Sequence, residues 1–295
     1  MYYNKSMKNI FFFTIYIIFF AVLSSLIITL LYMQFDEQPI LALNKAIKYG
    51  AMVMCAIFIV PAMKYRRLYS KEIVGYLEPK MLFIQNICKG FGFSVILLLP
   101  LIISFAVFDV RNISFNLIKI DNIFFYTLVM TIFVSFLISI IEESFFRGIL
   151  IQTDTKKIKA IFVITFAAIV YSLFHFIKIP FIFEENIYWN TGLIELVNVF
   201  FNFFNTIHYD AALTLIMFGL LLGVVRFNLK TISYGIGIHT GFVFTIKIFK
   251  QSSVVNSESN FDFLLSTYDH FLGNLASIWV AIILFIYLFY IYKYR

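Results

Sequence analysis

Long apolar runs, each about the length of a membrane span, dominate the pattern of the chain. At roughly 20 residues a span, the runs predict eight transmembrane helices, near 10–34, 46–63, 91–109, 123–150, 158–179, 211–226, 232–250 and 271–292. The first run is longer than the apolar part of a cleaved signal peptide, so we expect a membrane helix there. The pattern predicts an all-α, polytopic membrane protein with a single integral membrane domain over residues 1–295.

Basic residues mark alternate connectors between the predicted spans, and acidic residues mark the others. Lys and Arg precede the first span, follow the second, fourth and sixth, and end the chain, with Arg226 and Lys230 in the connector after the sixth. Because Lys and Arg favour the cytoplasmic side of a membrane, this alternation predicts that both termini are cytoplasmic.

One further helical segment, 192–208, does not fit the pattern of a span. Asn198, Asn202 and Asn205 recur at helical spacing and form a polar stripe among phenylalanines. A ninth span here would invert the charge alternation beyond it. We therefore expect an amphipathic helix that lies at the outer membrane interface.

Composition agrees with the apolar runs. The 295 residues are 62% hydrophobic and only 13% charged, whereas a soluble domain averages about 25% charged. The net charge is +7, but the basic residues are dispersed, so we expect the lipid bilayer and no nucleic acid as a partner. Cys55 and Cys88 have no metal-site spacing, and we expect both to be small buried residues.

Two adjacent glutamates inside the fourth apolar run are the strongest sign of chemistry. A carboxylate in hydrocarbon costs roughly 2.5–3.5 kcal/mol on insertion scales, so it usually faces a bundle interior and has a function. On a helix, Glu143 and Arg147 share a face, whereas Glu142 points about 100° away. We interpret Glu143 and Arg147 as a structural ion pair and Glu142 as a general base. In the alternative, both glutamates simply pair with Arg147.

A histidine in the fifth run is a second candidate. His175 follows Tyr171 by one helical turn on the same face. Either it is a hydrogen-bonded packing residue, or it belongs with the glutamates to one site.

A glycine-flanked histidine in the seventh run is the third candidate. Gly235 precedes His239 by four residues, which predicts open space beside the imidazole. Gly237 and Gly241 form a small-xxx-small pair on roughly the opposite face, where a neighbouring helix is expected to approach closely.

Together these elements resemble the CPBP family of CAAX-processing and bacteriocin-processing (Abi) intramembrane proteases, which includes the type II CAAX prenyl endopeptidases. The Glu-Glu-x-x-x-Arg element, the aromatic-x-x-x-His element and the glycine-flanked histidine follow in family order at Glu142–Arg147, Tyr171–His175 and His239. The resemblance covers residues 120–250, which would form the catalytic core.

Two positions depart from the family pattern. Tyr171 stands where Phe is usual, and Val243 stands where the family usually has Asn or Asp, four residues after the third-motif histidine. If the family residue helps form an oxyanion hole, Val243 removes that donor. Thr240, Thr245 or a backbone group would then have to replace it, or activity would be weaker.

The resemblance implies an intramembrane endopeptidase that uses a glutamate-activated water. Glu142 would be the base, His175 would hold and polarise the water, and His239 would stabilise the oxyanion. Glu143, Arg147 and Tyr171 would support them. We expect no metal or cofactor, with zinc as the alternative.

The substrate would be a membrane-associated protein or peptide, either a prenylated CAAX protein or a secreted peptide. We expect the enzyme in a prokaryotic plasma membrane.

Two other functions fit the same residues. A proton-coupled carrier would use the Glu and His side chains as a proton relay, although the chain has no internal symmetry typical of carriers. A non-catalytic family member would act as a membrane scaffold or immunity protein, which the valine at 243 favours.

Overall fold

The architecture of the chain is almost entirely helical. A computed structural model describes residues 2–34, 41–114, 122–153, 157–177, 179–180 and 187–294. The α-helices within these ranges are α1 (Tyr2–Tyr32), α2 (Leu43–Tyr65), α3 (Lys71–Val74), α4 (Lys80–Val107), α5 (Asn122–Glu142), α6 (Lys157–Phe176), α7 (Thr191–Thr206), α8 (Tyr209–Leu229), α9 (Ser233–Gln251) and α10 (Asn274–Tyr294). A π-helix at Glu143–Ile149 continues α5, and short strands β1 (Arg111–Ile113) and β2 (Ser253–Val255) pair antiparallel.

The predicted all-α, polytopic membrane fold is confirmed. Seven helices of the described ranges are long and apolar enough to cross a membrane: Lys8–Tyr32, Leu43–Tyr65, Lys80–Val107, Asn122–Ile149, Lys159–Phe176, Tyr209–Leu229 and Asn274–Tyr294. The protein is an integral membrane protein. The cytoplasmic location of both termini stays a prediction.

The seventh predicted span, 232–250, has a different character. Residues 232–250 do form a helix, α9, but α9 is not among the seven helices that meet the length and apolarity of a span. More than half of its residues are buried, and α4, α5 and α8 pack against it. Its glycines, hydroxyl residues and His239 make α9 less apolar than the seven spans. A membrane protein can accommodate such residues here because other helices, rather than lipid, surround α9.

The chain forms two compact units. The first contains Met1–Tyr69 and Leu173–Ile207, and the second contains Ser70–Ser172 and His208–Arg295. In the first unit, α1 packs against α2, and the Ser24 hydroxyl donates to the Ile47 carbonyl at 2.7 Å. The single membrane domain expected from the sequence stays a prediction.

Helix α7 of the first unit is the amphipathic segment expected at 192–208. Asn198, Asn202 and Asn205 are exposed along one stripe, and Phe201 and Phe204 are also exposed. The Leu196 side chain and Gly192 are buried within the unit. The predicted helix is confirmed, and its location at the outer membrane interface stays a prediction.

In the second unit, α9 lies in direct backbone contact with α4. A Cβ added to Gly237 would collide with the Ile87 carbonyl, and one added to Gly241 would lie 2.8 Å from the Phe91 carbonyl oxygen and collide with Ser94. Gly90 of α4 makes the reciprocal contact, since its Cβ would lie 2.7 Å from the Tyr234 carbonyl oxygen. The close helix approach predicted from Gly237 and Gly241 is confirmed.

Gly241→Ala is expected to destabilise the folded protein by about 1–3 kcal/mol, because the methyl group overpacks the α4–α9 contact. The matched control is Gly92→Ala, since a Cβ at Gly92 meets nothing within 4 Å and alanine favours a helix over glycine by about 1 kcal/mol. Thermal unfolding in detergent measures both. Equal melting temperatures for the two variants would contradict the close contact.

A buried arginine, Arg111, lies at the strand pair of the same unit. The Arg111 guanidinium donates to the Ser253 hydroxyl at 3.0 Å, to the His270 carbonyl at 2.8 Å and to the Ser253 carbonyl at 3.1 Å. Burial lowers the pKa of Arg111 from its usual value, and nearby Asp269 partly opposes that effect. These hydrogen bonds fix the β1–β2 strand pair to the end of α9.

The expectation for the cysteines is wrong at one position. Cys55 is half-buried, whereas Cys88 is exposed on α4. An exposed Cys88 is compatible with a membrane helix because lipid, rather than protein, can cover an apolar surface.

Candidate active site

The two glutamates stand at the junction between α5 and the π-helix. Glu142 is the last residue of α5 and Glu143 is the first of the π-helix. The Ser144 hydroxyl donates to the Ile140 carbonyl at 2.5 Å, which satisfies an acceptor that an α-helical N–H would otherwise take. Further along, the Leu150 N–H donates to the Phe145 carbonyl at 3.2 Å, five residues back. Turns of this kind occur frequently at functional sites.

Glu143 is fully buried and has two charged or polar neighbours. Its Oε1 lies 3.0 Å from Arg147 Nη1 and 2.9 Å from His239 Nδ1. The predicted Glu143–Arg147 pair is therefore present. The alternative, in which both glutamates simply pair with Arg147, does not account for the contact between Glu143 and His239. The open space predicted beside Gly235 is wrong, because the Glu143 carboxylate fills it: a Cβ on Gly235 would lie 2.9 Å from Glu143 Oε2.

His239 lies between the two carboxylates. Its Nδ1 contacts Glu143, and its Nε2 lies 3.7 Å from Glu142 Oε2. Because an ionised carboxylate only accepts hydrogen bonds, Nδ1 carries the proton in that contact. Nε2 then faces Glu142, either as the acceptor of a neutral imidazole or as the second donor of an imidazolium.

The two glutamates differ in access. The Glu142 side chain is 24% exposed, whereas that of Glu143 is 0% exposed. A carboxylate that must reach a water and a substrate needs such an opening, and a carboxylate that holds other side chains does not. The exposure therefore separates the two in the way expected from their helix faces.

Tyr171 of α6 completes the group within the second unit. The Arg147 guanidinium lies over its ring, 4.4 Å from the centroid, and the ring meets the edge of Phe146 at 5.1 Å. Its side chain also hydrogen-bonds Glu142. Tyr171 thus contacts residues of both the ion pair and the accessible carboxylate, as a supporting residue should.

The structure brings five of the six predicted residues together. Glu142, Glu143, Arg147, Tyr171 and His239 all belong to the second unit. His175 is half-buried on the last turn of α6, in the part of the chain that belongs to the first unit. Its share in the site stays a prediction.

Comparison with known proteins gives the family. Residues 124–245 match the family model described as type II CAAX prenyl endopeptidase Rce1-like. The match supports a CPBP/CAAX protease family assignment for this segment. No curated protein and no solved structure matches the chain. The matched range includes every predicted site residue and lies within the 120–250 core expected from the resemblance.

A metal fits this group of residues poorly. Within the described ranges, no three His, Cys, Asp or Glu side chains are grouped so that they could hold a metal ion. Arg147 also lies on the Glu143 carboxylate, where its positive charge opposes a bound cation. We derive no step through a metal, and the metal-free site stays a prediction.

An apolar groove of about 470 Å³ lies between α4 and α5 of the second unit. It is lined by apolar side chains of those two helices and reaches α9 at Thr240. Thr240 is the residue after His239, so apolar surface extends to the neighbourhood of the site.

Sequence reasoning missed one residue near the site. Arg226 was placed in a basic connector, but α8 continues to Leu229, and Arg226 is buried in its last turn. Its Nε donates to the Arg147 carbonyl at 3.2 Å. In the structure, the helix extends past Arg226 and ends at Lys230, where φ is +60°.

Proposed function

We propose that the protein is an intramembrane endopeptidase in which Glu142 activates a water for attack on a peptide carbonyl. One observation carries the proposal: the accessible Glu142 faces Nε2 of a histidine whose Nδ1 is held by a second, fully buried glutamate. This arrangement orients the imidazole so that its second ring nitrogen faces the accessible carboxylate. A base near an oriented donor is what hydrolysis of an amide requires.

In the proposed reaction, the water oxygen bonds to the carbonyl carbon while Glu142 takes the water proton. His239, as an imidazolium, donates from Nε2 to the developing oxyanion and from Nδ1 to Glu143. Glu142 then passes its proton to the leaving nitrogen, and the C–N bond breaks. His175 would hold and polarise the water, a role that rests on the family motif.

A second oxyanion donor has few candidates on α9. Val243, one turn after His239, has no polar side-chain atom, and the Thr240 hydroxyl donates to the Ile236 carbonyl at 2.7 Å. The Thr245 hydroxyl is buried without a hydrogen-bond partner among the described residues. Of the two threonines expected to replace the usual amide, Thr245 is therefore the one whose hydroxyl remains available.

The proposed substrate is a membrane-associated protein or peptide, either a prenylated CAAX protein or a secreted peptide, in a prokaryotic plasma membrane. The family match and the seven apolar helices support this class. Proteomics of membrane-protein termini, in cells with wild-type protein and with Glu142→Gln, tests the function. New termini that depend on Glu142 are expected. Identical termini in both strains would favour the carrier or the non-catalytic scaffold.

Cleavage by the purified protein is expected to be unchanged in strong chelators, because Arg147 rather than a metal neutralises the buried Glu143. The measurement is the rate of peptide cleavage with and without chelator, together with elemental analysis for zinc. Activity lost to chelator and restored by zinc would contradict the metal-free mechanism and make the histidines ligands.

A further inference from the structure

A segment outside the family-matched range packs against the helix that carries both glutamates. Residues 70–79 contain α3 and Gly75. Val74 covers Gly148 of the π-helix, where an added Cβ would lie 2.7 Å from Val74 Cγ1 and 2.9 Å from the Val74 carbonyl oxygen. The hydroxyls of Tyr76 and Ser144 lie 2.6 Å apart. The segment therefore contacts the π-helix next to Glu143 and again near its end.

Arg226 joins this segment to the π-helix. Its Nη2 donates to the Ile73 carbonyl at 2.8 Å, and its Nε donates to the Arg147 carbonyl at 3.2 Å. Both carbonyls belong to the last turns of their helices, where no further helical N–H can satisfy them. A cation also complements the negative end of a helix. Arg226 thus caps two helix ends at once.

Gly75 leaves the room for this contact. Its φ is +92°, a backbone conformation that residues with a Cβ atom rarely adopt. An added Cβ would also lie 2.9 Å from Arg226 Cζ. The chain turns here so that the guanidinium can reach Ile73.

The charge of Arg226 is not explained by packing alone. The side chain is 1% exposed, its contacts are carbonyl oxygens, and Nη1 has no hydrogen-bond partner within the described ranges. No ion pair of Arg226 occurs in that part of the chain. Burying a charge that is not paired with an opposite charge is costly, so a guanidinium at this position indicates a geometric task.

We propose that Arg226 is a positioning residue for the Glu142 base. By holding the Arg147 carbonyl against residues 70–79, it fixes the π-helix, whose junction with α5 aims Glu142 and Glu143 at His239. The inference rests on the proposed endopeptidase function and extends the site beyond the matched range to residues 70–79.

The test compares Arg226 with Arg111, a buried arginine of the same unit that lies outside the site. Arg226→Gln is expected to lower kcat by about 100-fold with little change in KM, since small displacements of catalytic groups have effects of that size. Its pH–rate profile should also shift, because the spacing of Glu142 and His239 changes. Arg226→Lys keeps the charge and should recover part of the loss. Arg111→Gln should lower the melting temperature and leave kcat and the profile unchanged.

A second measurement does not depend on cleavage. The ¹⁵N NMR signals of the His239 ring are expected to move in Arg226→Lys and in Gly75→Ala, which displaces the guanidinium, and to stay in place in Arg111→Lys. If the wild-type protein cleaves no peptide, the proposed endopeptidase function is wrong. The positioning role of Arg226 is then also wrong, whatever the NMR signals of the His239 ring show. An active wild type whose kcat, pH–rate profile and ring signals are indifferent to Arg226 would overturn the inference alone.

Discussion

Glu142→Gln is expected to lower peptide cleavage by about 10⁴-fold, the upper range for loss of a general base, while folded protein accumulates at the wild-type level. Glutamine keeps the shape of the side chain and removes its basic oxygen. Because the buried Arg147 and His239 keep their contacts to Glu143, the substitution leaves neither of them without a carboxylate. The measurement is cleavage per folded molecule, with folded protein quantified by size-exclusion chromatography.

The matched comparison is the neighbouring glutamate. Glu143→Gln and Arg147→Ala each break a fully buried pair that also holds His239, and breaking such a pair costs about 3–5 kcal/mol. We expect both to reduce the amount of folded protein in the membrane. An equal loss of folded protein in all three variants would show that Glu142 is structural and would contradict its role as base.

Much of the fold follows from local sequence. Apolar runs predicted the helices because each must span or fill the membrane with its own backbone hydrogen bonds satisfied. Gly237 and Gly241 predicted a close helix contact, and the four-residue spacing of Glu143 and Arg147 predicted their pair. These are properties of one helix at a time, so residue spacing is sufficient to find them.

The features of the site that could not be predicted from the sequence depend on contacts between residues far apart in the chain. His239 and Glu143 are 96 positions apart, and no spacing rule links them. The enclosure of α9 by other helices likewise depends on tertiary packing. For that reason Gly235 was expected to leave a space, whereas it accommodates the Glu143 carboxylate.

The π-helix and its support were also beyond local reasoning. The sequence pattern predicts a regular α-helix over residues 143–149. The departure from it is visible only in the structure, where the Ser144 hydroxyl donates to the Ile140 carbonyl and the Leu150 N–H donates to the Phe145 carbonyl. Arg226 looked like an ordinary residue of a basic connector, because its acceptors come from two other parts of the chain. The polar contacts that fix the site were thus harder to predict than the apolar ones that form the fold.

The second large effect is expected at His239. His239→Ala should slow cleavage by about two to four orders of magnitude, the range for loss of an acid–base partner or an oxyanion donor. The substitution removes the Nε2 that faces Glu142 and the Nδ1 that contacts Glu143. Arg147 still pairs with Glu143, so enough folded protein should remain to measure a rate. The rate loss in His175→Ala is expected to fall in the same range, because the family motif implies that His175 holds and polarises the attacking water.

The control for His239→Ala is a histidine of the same unit outside the site. His208 contacts the Thr267 hydroxyl at 3.2 Å and the ring of Tyr268, and none of its contacts among the described residues involves Glu142 or Glu143. His208→Ala should therefore leave cleavage unchanged. A folded protein whose cleavage is indifferent to His175→Ala and His239→Ala would contradict the mechanism. It would instead favour a scaffold, because a protein that only binds partners needs neither an oriented imidazole nor an accessible base.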